Sequence, residues 1–132
     1  MALLYVNFFS SSLHRKVPMQ VILPTDTWNE SKEPLKTLYL LHGLTDNCTA
    51  WTSNTRIEHW ACERNLAVVM PSGENSFYVE MPFGSSCYGD FGAYVGQELI
   101  EITRKMFPLS SKREDTFIAG LSMGGFGALR NG

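Results

Sequence analysis

The chain has 132 residues, of which 44% are hydrophobic and 12% aromatic, so it suits one domain and excludes a disordered chain. Eleven basic and thirteen acidic residues give a net charge of −2 with no basic cluster, so the sequence predicts neither a nucleic-acid nor a membrane partner. No apolar run approaches the roughly 20 residues of a membrane span, and the N-terminus lacks the basic segment of a secretory signal.

Three cysteines occur in the chain, Cys48, Cys62 and Cys87, which is an odd number without a close pair. This spacing argues against a disulfide framework and against a zinc site. We therefore expect reduced thiols, a cytoplasmic protein, and neither a metal nor another cofactor.

The first 34 residues predict a strand hairpin followed by a loop. Residues 2–10 and 17–23 are rich in apolar and aromatic side chains, as paired strands are, with a turn at 10–15 between them. Pro18 indicates a sheet edge, because proline cannot donate to a strand ladder. Residues 24–34 are polar and contain two prolines, so they predict a surface loop.

Strands and helices alternate through the rest of the chain, apart from a long irregular loop that the glycine-rich and serine-rich residues 72–92 predict. Two segments carry residues at the three- and four-residue steps of a helix face. These are Ile57, Trp60, Ala61 and Arg64 in the first segment and Val95, Leu99, Ile102 and Met106 in the second. The expected elements are strand 35–41, helix 51–65, strand 66–70, helix 94–107, strand 116–119 and helix 123–130.

This alternation predicts an α/β fold. Its central strands should be parallel with helices on both faces, and the N-terminal hairpin should form an antiparallel edge. Neither a repeat nor a linker divides the sequence, so we expect residues 1–132 to belong to a single domain.

The segment Gly120-Leu121-Ser122-Met123-Gly124 fits the pattern G-x-S-x-G between a predicted strand and a predicted helix. A strand that turns directly into a helix strains the residue at the apex, and flanking glycines remove side chains that would collide there. Ser122 would then present its hydroxyl at a helix N-terminus, where backbone N–H groups stabilise negative charge. The alternative is a plain strand–turn–helix in which Ser122 is only an N-cap.

A second segment, His42-Gly43-Leu44, follows the predicted strand 35–41 and agrees with the catalytic interpretation. In this fold class such a loop supplies half of an oxyanion hole. The two donors would be the backbone N–H groups of Leu44 and Met123, and Gly43 would let the backbone approach a substrate. We expect His42 to be structural rather than the general base, because it belongs to this loop.

With these residues the chain resembles the superfamily of esterase D and S-formylglutathione hydrolase, and most closely its bacterial tributyrin and acetyl esterases. The resemblance covers nearly the whole chain and is most specific in the run Ser-Met-Gly-Gly-Phe-Gly-Ala that starts at Ser122. The other shared segments are 40–47, 68–71 and 94–108.

The resemblance implies the N-terminal half of an α/β-hydrolase domain and a serine carboxylesterase for short acyl groups. Ser122 would be the nucleophile, Leu44 and Met123 the oxyanion donors, and His42, Gly43, Gly120 and Gly124 the residues that support them. One departure argues against a glutathione thioester as substrate: Asp46 stands where the S-formylglutathione hydrolases tend to have cysteine.

The triad of this fold runs Ser, then acid, then His along the chain, and here it is incomplete. Only ten residues follow Ser122, none of them acidic and none His, whereas His14, His42 and His59 all precede it. We therefore expect an incomplete domain that ends just after the nucleophile, with an open sheet edge and exposed apolar surface.

Three functions fit these expectations: a serine esterase, a non-catalytic half-domain that needs its C-terminal half, and an acyltransferase of the same fold. The expected partners are a small acyl ester and the missing half, in cis or as another chain. The sequence leaves open whether the chain forms a homo-oligomer. Three aromatic residues either wall an acyl pocket or belong to the ordinary core or surface, namely Trp51, Tyr78 and Tyr88.

Overall fold

A computed structural model describes residues 1–27 and 33–132, so part of the predicted loop 24–34 lies outside the described residues. The strands are β1 (Ala2–Ser10), β2 (Arg15–Leu23), β3 (Lys36–Leu41), β4 (Leu66–Pro71), β5 (Glu80–Met81), β6 (Gly89–Asp90) and β7 (Thr116–Gly120). The α-helices are α1 (Ala50–Asn54), α2 (Ile57–Glu63), α3 (Phe91–Ala93), α4 (Leu99–Met106) and α5 (Met123–Asn131). A π-helical segment, Tyr94–Glu98, joins α3 to α4, and a 3-10 turn, Arg113–Asp115, precedes β7.

Five strands form the main sheet in the order β1-β2-β4-β3-β7, and the α/β fold class is confirmed. β3 pairs in parallel with both β4 and β7, whereas β1, β2 and β4 pair antiparallel. The described part of the predicted loop 72–92 contains a small two-stranded ladder, β5 with β6. The parallel pairing of β3 with β7 brings the C-terminal ends of these two strands together, which places the His42–Gly43 segment beside the G-x-S-x-G turn.

The prediction that Pro18 marks a sheet edge is wrong, because β2 lies between β1 and β4. Pro18 is opposite Asn7 of β1, but the ladder between β2 and β4 begins only at Met19. The missing N–H of Pro18 therefore removes no bond from the pairing with β4.

The predicted helix 51–65 is two helices that meet at an extended Thr55. The side chain of Asn54 donates to the Ala50 carbonyl, and the Thr55 hydroxyl bonds to the Trp51 carbonyl and accepts the N–H of Ile57. These side chains compete with helical backbone bonds, which ends α1 and starts α2. Ile57 and Ala61 of the predicted stripe are buried, whereas Trp60 is exposed.

The second predicted helix starts earlier than expected, at Phe91, where Asp90 accepts the N–H of Ala93. On the face of this helix that was predicted to be buried, Val95 and Leu99 are indeed buried. The prediction is wrong for Met106, which is exposed. Thr103 takes the buried place of the next turn, because its hydroxyl contacts the Tyr39 hydroxyl at 2.8 Å.

Alternate residues of the central strands face two separate apolar layers, as the two-residue period of a strand requires. Tyr39, Leu41 and Val69 pack with the helices that follow β6, and Leu40, Val68 and Met70 pack with α2. Helices therefore cover both faces of the sheet, as predicted from the alternation of elements.

β7 is the last strand in the sheet order, and exposed apolar side chains surround it. The exposed side chains are those of Phe117 in β7, Leu121 after it, and Phe126 and Leu129 in α5. Leu129 exposes 90% of its surface. Within the described residues no helix combines the length and the apolar character needed to cross a bilayer.

Candidate active site

Ser122 stands at the apex of the turn from β7 into α5 and is exposed. Its backbone adopts φ 57° and ψ −116°, a region that side chains with a Cβ rarely occupy. Such strain persists only where the surroundings enforce it and is typical of functional sites. Ser122 occupies the N-cap position, but its side chain makes no capping hydrogen bond, so capping does not explain the serine.

The glycines of the motif are required by close backbone packing. A Cβ on Gly120 would overlap the backbone of Gly124, whose Cα would lie 2.8 Å from it. A Cβ on Gly124 would overlap the Leu41 carbonyl oxygen and lie 2.8 Å from that of His42. The first turn of α5 is therefore pressed against the end of β3.

The loop after β3, residues 42–46, lies against the apex of the turn from β7 into α5 (the elbow, residues 120–124). A Cβ on Gly43 would lie 3.3 Å from the Leu121 carbonyl oxygen and 3.7 Å from the Ser122 Cβ. The Asp46 N–H donates to the Gly43 carbonyl at 3.3 Å, and Thr45 adopts a φ of 68°, which gives the form of a type II turn. Within the described part of the chain, the N–H groups of Leu44 and Met123 have no hydrogen-bond acceptor.

His42 is buried, and both of its ring nitrogens are occupied. The Gly73 N–H donates to Nε2 at 2.8 Å, so the ring proton sits on Nδ1, which donates to the Gly43 carbonyl at 2.7 Å. Burial lowers the pKa of His42 below its usual 6.5, and this outweighs the opposing effects of the Gly43 bond and of Asp46. A neutral ring with both nitrogens bonded has no free position to accept the Ser122 proton.

The other two histidines lie elsewhere. His14 is exposed in the hairpin turn, and His59 of α2 pairs with Glu63 at 2.9 Å. Neither lines the cleft that contains Ser122. Among the described residues, no group of three or more His, Cys, Asp or Glu side chains is arranged to hold a metal ion, and all three cysteines are unpaired.

Ser122 opens into a cleft of about 280 Å³. Its apolar wall includes Leu44, Trp51 and Leu121, and its polar wall includes Asp46 and Asn54. The indole N–H of Trp51 donates to the Leu41 carbonyl at 3.2 Å, which fixes the ring beside the serine.

Of the three aromatic residues proposed for a pocket wall, only Trp51 lines this cleft. Tyr78 is fully buried in the core, and Tyr88 packs edge-on against Phe83 with ring centres 5.4 Å apart. A loop aromatic gives no periodic signal, so the sequence cannot separate a pocket wall from a core position.

The loop after β4, residues 72–78, holds the loop 42–46 in place, a role that was not predicted. Gly73 bonds to the His42 ring, the Tyr78 hydroxyl donates to the His42 carbonyl at 2.9 Å, and Asn75 Oδ1 accepts the Thr45 N–H at 2.8 Å. Glycine, asparagine and serine in this stretch predict only a loop, so no sequence signal points to these contacts.

The strained serine at a strand-to-helix turn and the adjoining glycine loop are features of the serine hydrolases of α/β fold. Residues 10–131 match the model of the Esterase family, described as "Putative esterase", so the chain belongs to this family.

Proteins that resemble the chain in sequence or structure are named as esterases or hydrolases. The chain is 46% identical to an acetyl esterase of Caldicellulosiruptor saccharolyticus over an alignment of 138 positions, which covers 100% of this chain and 51% of that protein. A fluorophosphonate-binding serine hydrolase of Staphylococcus aureus is 39% identical, with a TM-score of 0.86 over 96% of this chain and 49% of that one. An S-formylglutathione hydrolase of the same organism is 40% identical, with a TM-score of 0.75 over 96% and 50%. The chain thus spans about half the length of the relatives that it matches.

Proposed function

We propose that the protein is a serine carboxylesterase that hydrolyses short-chain acyl esters with Ser122 as its nucleophile. The observation that carries the proposal is the exposed, strained Ser122 with the N–H groups of Leu44 and Met123 on the adjoining segments, neither of which is hydrogen-bonded within the described residues. The names of the relatives support an ester as substrate. The three unpaired cysteines agree with a reducing, cytoplasmic location.

In this reaction the Ser122 oxygen attacks the ester carbonyl carbon while a base removes the hydroxyl proton. The carbonyl oxygen becomes an oxyanion that the N–H groups of Leu44 and Met123 bind, assisted by the N-terminus of α5. The base returns the proton to the leaving alcohol, and an acyl-enzyme remains. Water then repeats the sequence and releases the acid.

The base must be a histidine that these 132 residues do not bring to the cleft, since His42 is fully bonded and His14 and His59 lie elsewhere. We propose that a further segment, in cis or as another chain, supplies this histidine and its acidic partner. The double length of the relatives and the exposed apolar residues beside β7 support this proposal.

The proposal predicts that residues 1–132 alone do not turn over p-nitrophenyl acetate, because Ser122 lacks a base. Joining them to the part of the Caldicellulosiruptor acetyl esterase that they do not match should produce hydrolysis that Ser122→Ala removes. Initial rates of both proteins, each with its alanine variant, provide the measurement. Ser122-dependent turnover by the isolated chain would show that a base is already present, and an inactive joined protein would favour the non-catalytic half-domain.

The position of Trp51 predicts that it limits the acyl chain. In the full-length gene product, meaning this chain together with the further segment proposed above, Trp51→Ala should raise kcat/KM for p-nitrophenyl octanoate about tenfold relative to acetate, because the cleft gains room for added methylenes. Trp60→Ala is the matched control, since Trp60 is exposed on α2 and does not line the cleft. An unchanged chain-length profile in Trp51→Ala, or an equal change in Trp60→Ala, would contradict this role.

A further inference from the structure

Tyr78 contacts both of the segments that carry the proposed oxyanion donors. Its hydroxyl donates to the His42 carbonyl at 2.9 Å, two residues before Leu44. Its ring lies against Gly127 in α5, where an added Cβ would come within 2.5 Å of the Tyr78 Cδ2. Since α5 begins at Met123, one side chain lies between the two donor segments.

The surroundings of Tyr78 leave its ring little freedom. Its side chain is fully buried, its ring also lies against Gly73, and it meets the His42 ring edge-on at 5.9 Å between centres. Asn131, in the last turn of α5, donates to the Tyr78 carbonyl at 3.4 Å. Tyr78 and its neighbour Phe77 both have positive φ, 57° and 53°, a conformation that costs free energy and that this packing maintains.

The hydroxyl of Tyr78 is a permanent donor. Burial raises the pKa of Tyr78 well above its usual range, so the O–H keeps its proton at neutral pH. The acceptor of this bond is the His42 carbonyl, which lies two residues before Leu44. Within the described residues, this carbonyl accepts no other hydrogen bond.

We propose that Tyr78 is a positioning residue that fixes the distance between the N–H groups of Leu44 and Met123. This inference rests on the proposed function of these two donors. Donors that are held in place before the reaction stabilise an oxyanion without reorganising, so a loop that drifts by a fraction of an ångström loses part of that stabilisation. Tyr78 acts through the loop 42–46 and through α5, and does not itself contact the substrate.

Tyr78→Phe tests this role in the full-length gene product, because it keeps the ring and its packing and removes only the hydroxyl. We expect kcat to fall about tenfold with little change in KM, since the loss concerns the transition state. Affinity for a trifluoromethyl ketone, which forms a tetrahedral adduct with serine, should fall by the same factor.

Tyr39→Phe is the matched control. Tyr39 of β3 is likewise a buried tyrosine, but its hydroxyl contacts Thr103 on α4, away from the cleft. Both variants should lose a comparable amount of stability, and only Tyr78→Phe should lose kcat. Equal kcat values in the two variants, with Ser122-dependent turnover in the parent, would overturn the positioning role and leave the proposed function intact.

Hydrogen exchange tests the same inference without catalysis. Backbone amides in residues 42–46 should exchange faster in Tyr78→Phe than in the parent or in Tyr39→Phe, because the loop has lost one of its bonds. Unchanged exchange in this segment would refute the inference. A parent protein without Ser122-dependent turnover would instead refute the proposed function, and the exchange experiment would still decide whether Tyr78 holds the loop.

Discussion

Replacing Ser122 with alanine is expected to lower kcat of the full-length gene product by about 10⁶-fold, the size of the loss when a serine hydrolase loses its nucleophile. The reason is that no other hydroxyl can form the acyl-enzyme at the apex of the elbow. KM should change little, because the cleft walls and the two N–H donors remain. The measurement is steady-state hydrolysis of p-nitrophenyl acetate or butyrate with a chromatographically pure variant.

Ser53→Ala is the control for this substitution, because Ser53 is exposed on α1 and does not line the cleft. Its kcat should equal that of the parent. Residual activity of Ser122→Ala above about 1% of the parent would mean that another residue attacks the ester, and the proposed mechanism would have to be abandoned.

Gly124→Ala is expected to destabilise the protein by about 2–4 kcal/mol and to abolish turnover, because the new methyl group would overlap the Leu41 carbonyl oxygen. That oxygen belongs to β3, which is paired on both sides, and it cannot shift without moving the loop 42–46. Urea unfolding of the full-length gene product measures the loss of stability, and the ester assay measures the loss of turnover.

The next residue provides a matched control for this glycine. A Cβ on Gly125 would lie 3.5 Å from the Gly120 carbonyl oxygen, which is an ordinary contact. Because alanine favours a helix over glycine by up to about 1 kcal/mol, Gly125→Ala should be neutral or stabilising and should keep its activity. Equal stability and equal turnover in Gly124→Ala and Gly125→Ala would show that tight packing against β3 is not the reason for glycine at position 124.

Much of the fold could be predicted because its signals are local. The hairpin strands have the right composition, the parallel strands are short apolar runs between turn residues, and the G-x-S-x-G segment combines a motif with its strand and helix. The predicted segments match β1, β4 and α5 closely, and the Esterase family membership agrees with the resemblance in the same segments.

What the sequence could not predict depends on contacts between distant residues. The break at Thr55 arises from hydroxyl and amide bonds that replace helical ones, and Pro18 is tolerated because the neighbouring ladder starts one residue later. Tyr78 and Asn75 reach the loop 42–46 across about thirty intervening residues. Among the residues that line the cleft, the sequence pointed to Gly43 and Ser122 through motifs that specify a backbone shape, and their functional roles stay predictions.

Covalent labelling shows directly whether Ser122 is the nucleophile, because it identifies the residue that reacts with an electrophilic probe. The full-length gene product is treated with a fluorophosphonate probe, digested and analysed by peptide mass spectrometry. We expect a single adduct on Ser122 that disappears in Ser122→Ala and persists in Ser53→Ala. An adduct on another residue, or labelling that Ser122→Ala leaves undiminished, would contradict Ser122 as the nucleophile.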